Sequence, residues 1–429
     1  MQIIPYPKKE NWSEILLRPN LETKDLTATV TAILNDVKLN GDKALRIYTA
    51  KFDGVELKEI LVSKDEFVEA EKHIPADLKQ AINHAKSNIE KFHLSQVEEI
   101  KQVETTEGVF CWRKSVAIEK VGLYVPAGTA PLFSTVLMLA IPAKIAGCQE
   151  IVLCSPPDKN GQIDSVILYT ARLCGVTKVF KVGGVQAIGA MAFGTETIPK
   201  VYKIFGPGNQ YVTNAKQIIS QTGVAIDMPA GPSEVAVLVD ESSIPAFVAA
   251  DLLSQAEHGT DSQVLLVTKS EKIIKETIIE VNKQLAELPR KNIAEKSLEN
   301  SKMILVENDL EAIEILNEYA AEHLILAVEN ADEIAEKITN AGSVFIGNYS
   351  CESAGDYASG TNHTLPTNGY AKNYSGVSLD SFVKKITFQK LSEKGILNLG
   401  KTVELMAEAE HLHAHKNAIT VRLKNISAG

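Results

Sequence analysis

Residues 121–182 read VGLYVPAGTAPLFSTVLMLAIPAKIAGCQEIVLCSPPDKNGQIDSVILYTARLCGVTKVFKV, and the alternation of textures within them decides the fold. Short apolar runs at Val121–Val125, Glu150–Cys154 and Lys178–Val182 alternate with helical stretches at Leu132–Ala146 and Ile163–Leu173. Strand-helix-strand repetition of this kind builds a parallel sheet with helices on both faces. A second series starts at Glu234 with Val235–Val239 and continues through Val264–Val267, Leu324–Val328 and Ser343–Ile346. The chain therefore reads as two α/β domains.

Working outward, residues 1–24 form a short lead with Pro5, Pro7 and Arg18-Pro19, too small for a core of its own. Val30, Ile33, Leu34 and Val37 have helical spacing within Leu26–Ala50, Gly41-Asp42 offers a break, and more helix follows through Lys72–Phe92. Glu352–Gly376 is dense in Gly, Ser, Thr, Asn and Tyr and reads as a long functional loop. Lys401–Leu423 shows a helical pattern followed by a terminal strand, and is expected to dock on another subunit.

The chain has 429 residues, 45% of them hydrophobic, enough for more than one core. Lys and Arg total 44 against 54 Asp and Glu, a net charge of -10 with no basic block, which argues against nucleic acid or an anionic membrane and for a small-molecule substrate. The N-terminus lacks a signal-peptide pattern and no apolar stretch is long enough to span a bilayer, so a cytoplasmic location is expected. Five cysteines without CxxC spacing indicate neither a disulfide framework nor a thiolate zinc site.

Four motifs carry candidate chemistry. In Ser254–Gly259, Gln255 and His258 stand three residues apart at the end of the apolar run Phe247–Leu253, a spacing that aims both at one point on a last helical turn. Glu322-His323 falls where helix gives way to strand, the kind of irregular junction at which adjacent residues enter one pocket, and a carboxylate beside an imidazole suits proton transfer. Asp356 and His363 share a loop of small residues, with donors that suit zinc as well as turn hydrogen bonds. Glu410, His411, His413 and His415 cluster near the C-terminus; His411 and His415 have the spacing of helix-borne zinc pairs, and periodicity does not say which histidine matters. Gly206-Pro207-Gly208-Asn209 and Val182–Gln186 add glycine-bearing strand ends that suit an anionic cofactor or a tight turn equally, since no G-x-G-x-x-G is present. Taken singly, each motif also has a plainer surface or turn reading.

Taken together, the ordered motifs resemble the histidinol dehydrogenase family over nearly the whole chain. The resemblance rests on Gly122–Cys148, Val182–Gly194, Lys203–Lys216, Asp227–Glu234, Asp251–Gln263, Glu322–Leu324, Gly355–Pro366 and Glu410–His415. It implies two incomplete Rossmann-like domains, an intertwined homodimer and one zinc per active site. The implied ligands are Gln255, His258 and Asp356 from one subunit and His415 from the other. Ser233 and Glu410 would contact substrate, as would the ligands and His323, while Tyr124, Gln186 and Asn209 would hold NAD. The implied division is a lead over 1–24, a substrate and zinc domain over 25–120 and 235–375, an NAD domain over 121–234, and a dimerisation arm over 376–429. The implied reaction takes L-histidinol through bound L-histidinaldehyde to L-histidine, the last steps of histidine biosynthesis, reducing two NAD. His323 would be the proton acceptor and Glu322 the group that activates water. Two rivals are an enzyme of the same fold acting on another alcohol, and a zinc hydrolase that uses Glu322 and no dinucleotide. Ala127 is one departure, standing where many relatives have Gly.

Overall fold

The computed structural model describes residues 1–19, 24–127, 130–229 and 231–428, so residues 20–23 of the expected lead lie outside it. Its strands are β1 (Gln2–Pro5), β2 (Gln102–Thr106), β3 (Val109–Ala117), β4 (Lys120–Tyr124), β5 (Glu150–Ser155), β6 (Lys178–Lys181) and β7 (Lys203–Phe205). They continue as β8 (Ala225–Ile226), β9 (Glu234–Val239), β10 (Gln263–Thr268), β11 (Lys302–Leu305), β12 (His323–Ala327), β13 (Ser343–Ile346) and β14 (Val383–Leu391). The chain divides into two bodies. One comprises Met1–Ser95 with Glu119–Phe382, and the other Gln96–Ile118 with the residues from Val383 onward.

The first body holds two parallel sheets. The five-stranded sheet has the order β6-β5-β4-β7-β8, so the chain runs outward from β4 through β5 to β6 and then returns to the other side at β7. The six-stranded sheet has the order β1-β11-β10-β9-β12-β13, again with a reversal, here between β9 and β12. Both alternations expected from the sequence are present. The short β11 was not anticipated, and the N-terminal lead extends the sheet by pairing β1 with β11.

The helix Lys24–Phe52 bends at Gly41, whose φ of 50° and ψ of -132° lie outside helical geometry, where the Gly-Asp break was expected. Its stripe of Val30, Ile33, Leu34 and Val37 is buried in the core of the five-stranded sheet, with Ala187, Ile188 and Met191. Gly189 leaves room for Leu34 and Val37 to approach that closely. The sequence division grouped residues 25–120 with 235–375. Helical periodicity identifies a face to be buried and is silent about which sheet covers it. The stretch Lys72–Phe92 is split at Pro75 between two helices, Lys64–His73 and Ala76–Leu94, the first opened by a capping box of Ser63 and Glu66.

The second body contains an antiparallel sheet of order β14-β3-β2 and a pair of packed helices, Glu393–Ala409 and His413–Ala428. The terminal strand expected near Leu423 is helix instead: residues 413–428 lack a Gly or Pro break and continue helical hydrogen bonding to the end of the described chain. Among the described residues no helix is long and apolar enough to cross a membrane.

Candidate active site

The amino edge of the six-stranded sheet gathers the acid–base residues. The helix Asp309–Tyr319 stops at Ala320, which takes a left-handed φ of 53°, and β12 begins three residues later at His323. At this junction Glu322 and His323 are both buried, with His323 Nδ1 3.7 Å from Glu322 Oε2. Glu322 Oε2 also accepts the Glu234 N–H at 3.1 Å. Glu234, the first residue of β9, is itself clasped by Arg18 at 2.5 and 2.9 Å, and Arg18 donates to the Tyr319 carbonyl at 2.6 Å while lying 4.1 Å over the Tyr319 ring. The N-terminal lead thus anchors the backbone on which Ser233 and Glu322 sit. Ser233 precedes β9 and is half-buried.

Gln255 lies in the last turn of the helix Pro245–Ala256, and His258 follows just beyond it, its N–H bonded to the Gln255 carbonyl at 3.2 Å. Because the helix runs back from the carboxyl to the amino edge of a parallel sheet, this pair arrives beside His323. The segment expected to be loop from Glu352 begins as a short helix, Glu352–Tyr357. Its four-residue spacing puts Glu352 and Asp356 on one face. Asp356 Oδ1 is 3.3 Å from His323 Nε2 and Glu352 Oε1 is 4.0 Å from His323 Nδ1. The Gln255 amide satisfies its neighbours with its nitrogen toward Glu352, donating at 2.8 and 3.2 Å, and 3.2 Å from His323 Nδ1. Donor atoms of His258, Glu352 and Asp356 lie within 4.8 Å of one another. One imidazole and two carboxylates form a nitrogen and oxygen set that suits zinc.

His363 extends this network. Its Nδ1 lies 2.9 Å from the Asp356 carbonyl, which only accepts, so Nδ1 carries the proton and Nε2 accepts from Thr135 Oγ1 at 3.2 Å. Thr135 belongs to the helix Phe133–Ala146 that follows β4, so the carboxyl edge of one sheet meets the amino edge of the other here.

Charge in this cluster is strongly coupled. Burial pushes Glu322 and Glu352 up to about 8. For His323 burial favours the neutral ring, but Glu352, Glu322 and Asp356 outweigh it and raise the group to about 10. Burial also resists ionisation of Asp356, yet the neighbouring His323 lowers it below the ordinary carboxylate value. Desolvation lowers His258 and so favours the neutral, ligating form, although the residue is partly open to solvent.

The residues expected to hold a dinucleotide lie along the carboxyl edge of the five-stranded sheet. Tyr124 ends β4, and its hydroxyl accepts the Gly184 N–H at 3.1 Å; burial pushes the phenol up to about 12, so it stays protonated. Gln186 sits in the first turn of the helix Gly184–Phe193, 1% exposed, and among the described residues its Oε1 has no hydrogen-bond partner. An orphaned buried acceptor and a glycine-lined strand end suit a bound amide-bearing, anionic cofactor. Asn209 follows β7 and caps the helix Gln210–Ser220, its side-chain oxygen accepting from Tyr211 and Val212 at 3.1 and 3.2 Å.

Glu410 and His415 belong to the second body, both exposed. The single helix assumed for the terminal cluster is broken: Glu410 ends one helix, His411 has a left-handed φ of 60°, and His415 lies in the first turn of the next. His411 and His415 therefore do not form a helix-borne pair. The sequence reading missed Glu352, whose spacing to Asp356 was the available signal, and missed the anchoring role of Arg18 and Glu234.

A family model for histidinol dehydrogenase matches residues 16–423 of the chain. The histidinol dehydrogenase of Bacteroides fragilis is 64% identical over 426 residues, covering 99% of this chain and 100% of the relative. That of Mannheimia succiniciproducens is 55% identical over 416 residues, covering 96% of each. The crystal structure of histidinol dehydrogenase from Elizabethkingia anophelis aligns with a TM-score of 0.98 at 58% identity, covering 100% of this chain and 99% of that one.

Proposed function

The chain belongs to the histidinol dehydrogenase family and is an oxidoreductase of histidine biosynthesis; from that premise we propose that it carries out the zinc-dependent, NAD-linked oxidation of L-histidinol to L-histidine through bound L-histidinaldehyde. One observation carries this reading: the buried Glu322-His323 pair lies against a cluster of Gln255, His258, Glu352 and Asp356. Gln255, His258 and Asp356 would hold the zinc, with His415 from a second subunit completing its ligands. Bound zinc would fix the imidazole and amino nitrogens of the substrate and, as a positive charge, oppose protonation of His323, while NAD supplies the hydride acceptor.

His323 takes the alcohol proton in the first oxidation. Glu322, fixed through the Glu234 N–H, then activates the water that adds to the aldehyde, and His323 takes a proton again as the hydrate is oxidised. Ser233, Glu410 and the metal ligands position the substrate. Tyr124, Gln186 and Asn209 bind NAD, making 121–234 the dinucleotide domain and 235–375 the core of the substrate domain. An imidazole-bearing cationic substrate suits a pocket with this many carboxylates better than an anionic alcohol does. The second body exposes Leu397, Leu405, Met406, Leu412 and Val421, an apolar surface that suits a homodimer partner.

The test is NADH formation from L-histidinol by the purified protein, with histidine quantified, before and after chelation and zinc restoration. Two NADH per histidine, lost and regained with zinc, supports the reading. Zinc-dependent hydrolysis without NADH would replace it with the hydrolase.

A further inference from the structure

One buried ion pair has no task in this chemistry. Lys216, on the helix Gln210–Ser220, places its Nζ 2.5 Å from Asp227 Oδ1, and both side chains are almost wholly buried. Each partner also holds the backbone of the same residue. Lys216 Nζ donates to the Gly206 carbonyl at 2.9 Å, and the Gly206 N–H donates to Asp227 Oδ2 at 2.8 Å. Asp227 Oδ1 further accepts the Met228 N–H at 2.8 Å. The two charges thus close a ring around Gly206.

Gly206 is no ordinary turn residue. It follows β7, it has a φ of 127° that side-chain-bearing residues rarely adopt, and a Cβ there would strike the backbone of Tyr124 at the end of β4. The chain reverses across this sheet between β4 and β7, and the crevice outside the carboxyl ends of the strands at such a reversal is where open α/β sheets bind ligands. Burying a lysine and an aspartate costs desolvation that an apolar pair of similar volume would avoid, so a contribution to folding alone does not account for them. What the pair supplies, and an apolar pair would not, is a hold on both backbone polar groups of one residue, Gly206.

We infer that Lys216 and Asp227 are positioning residues for the dinucleotide: they clasp the Gly206 peptide against Tyr124, so that the turn Gly206–Asn209 forms a rigid rim of the NAD site. This rests on the NAD reading of the same edge. The variant that tests it is the double replacement Lys216→Met with Asp227→Leu, which leaves no unpaired charge; the isosteric Asp227→Asn is the second variant, read in the same way if the first does not fold. NADH affinity, followed by titration of the zinc-loaded enzyme, should fall about tenfold, and KM for NAD should rise to match, while KM for L-histidinol and kcat at saturating NAD stay within about twofold. Gln186→Ala serves as the control for the NAD reading. Weaker NADH binding in the control with unchanged binding in the clasp variants overturns the clasp alone. Unchanged binding in all of them overturns the NAD reading of this edge and the clasp with it. Equal loss of both KM values and kcat in the clasp variants also overturns the proposal, because a general structural role would produce it.

Discussion

The two parallel sheets share a reversal of strand order, yet they gather their candidate functional residues at opposite edges. Tyr124, Gln186 and Asn209 line the carboxyl edge of the five-stranded sheet, where the helices Gly184–Phe193 and Gln210–Ser220 begin. Glu322, His323, Gln255 and His258 line the amino edge of the six-stranded sheet, where the helices Pro245–Ala256 and Asp309–Tyr319 end. Helix beginnings present unpaired N–H groups and positive potential, which suits the pyrophosphate of a dinucleotide; helix ends present carbonyls and negative potential, which suits a metal cation and a protonated imidazole. One architecture used from its two ends therefore gives sites of opposite polarity. Thr135 and His363 join the two edges by a hydrogen bond, as the proposed reaction requires if NAD and His323 are to serve one carbon.

The largest effects are expected at the amino edge. His323→Ala should lower both oxidations by about a thousandfold or more while leaving NADH binding unchanged, as measured by steady-state rates and NADH titration. A loss of NADH affinity in this variant would mean that the two edges are not separate. Glu322→Gln should lower oxidation of L-histidinaldehyde by about a hundredfold more than oxidation of L-histidinol. Equal losses would remove the water-activating role from Glu322.

Some of these elements are encoded locally in the sequence and others are not. The runs Val121–Val125 and Val235–Val239 are apolar on both faces, and only strands covered on both sides have that pattern, so the parallel sheets were legible. Glu322-His323 was legible because a helix-to-strand junction frees adjacent residues from diverging. Glu352 was not, because its six-residue helix is embedded in a composition that reads as loop. The pairing of β3 with β14 joins residues about 270 apart, as in Lys114 with Ile386, and nothing local encodes such a partner. The clasp of Arg18 on Glu234 spans 216 residues and was hidden for the same reason. The His411–His415 spacing misled because a left-handed residue interrupts the helix it presumed.

A smaller effect concerns whether the second body completes the metal site. Mixing inactive His258→Ala chains with inactive His415→Ala chains should restore up to about a quarter of the wild-type activity, because one site in each mixed dimer regains all its ligands. Verified heterodimers without activity would leave the metal to the residues of a single chain, with Glu352 as a ligand in place of His415.

The smallest expected effect lies beside Tyr124. Asp53 follows the end of the helix Lys24–Phe52, among the described residues its Oδ2 has no hydrogen-bond partner, and burial raises its carboxyl to about 6. A folded-state value above the ordinary 3.8 means that the native chain holds this proton more tightly, so the associated stability is full below that value and lost as pH rises through about 6. Asp53→Asn should therefore raise Tm by about 1–2 °C at pH 8 and have little effect near pH 4, measured by thermal unfolding. An equal shift at both pH values would mean that the carboxylate charge is not the cause.

One set of KM values tests the division of labour between the two edges most directly. In Gln186→Ala the KM for NAD should rise about tenfold with KM for L-histidinol unchanged, and in Asp356→Asn the KM for L-histidinol should rise by a similar factor with KM for NAD unchanged. If either variant raises both KM values together, the two sheets do not hold separate halves of the reaction.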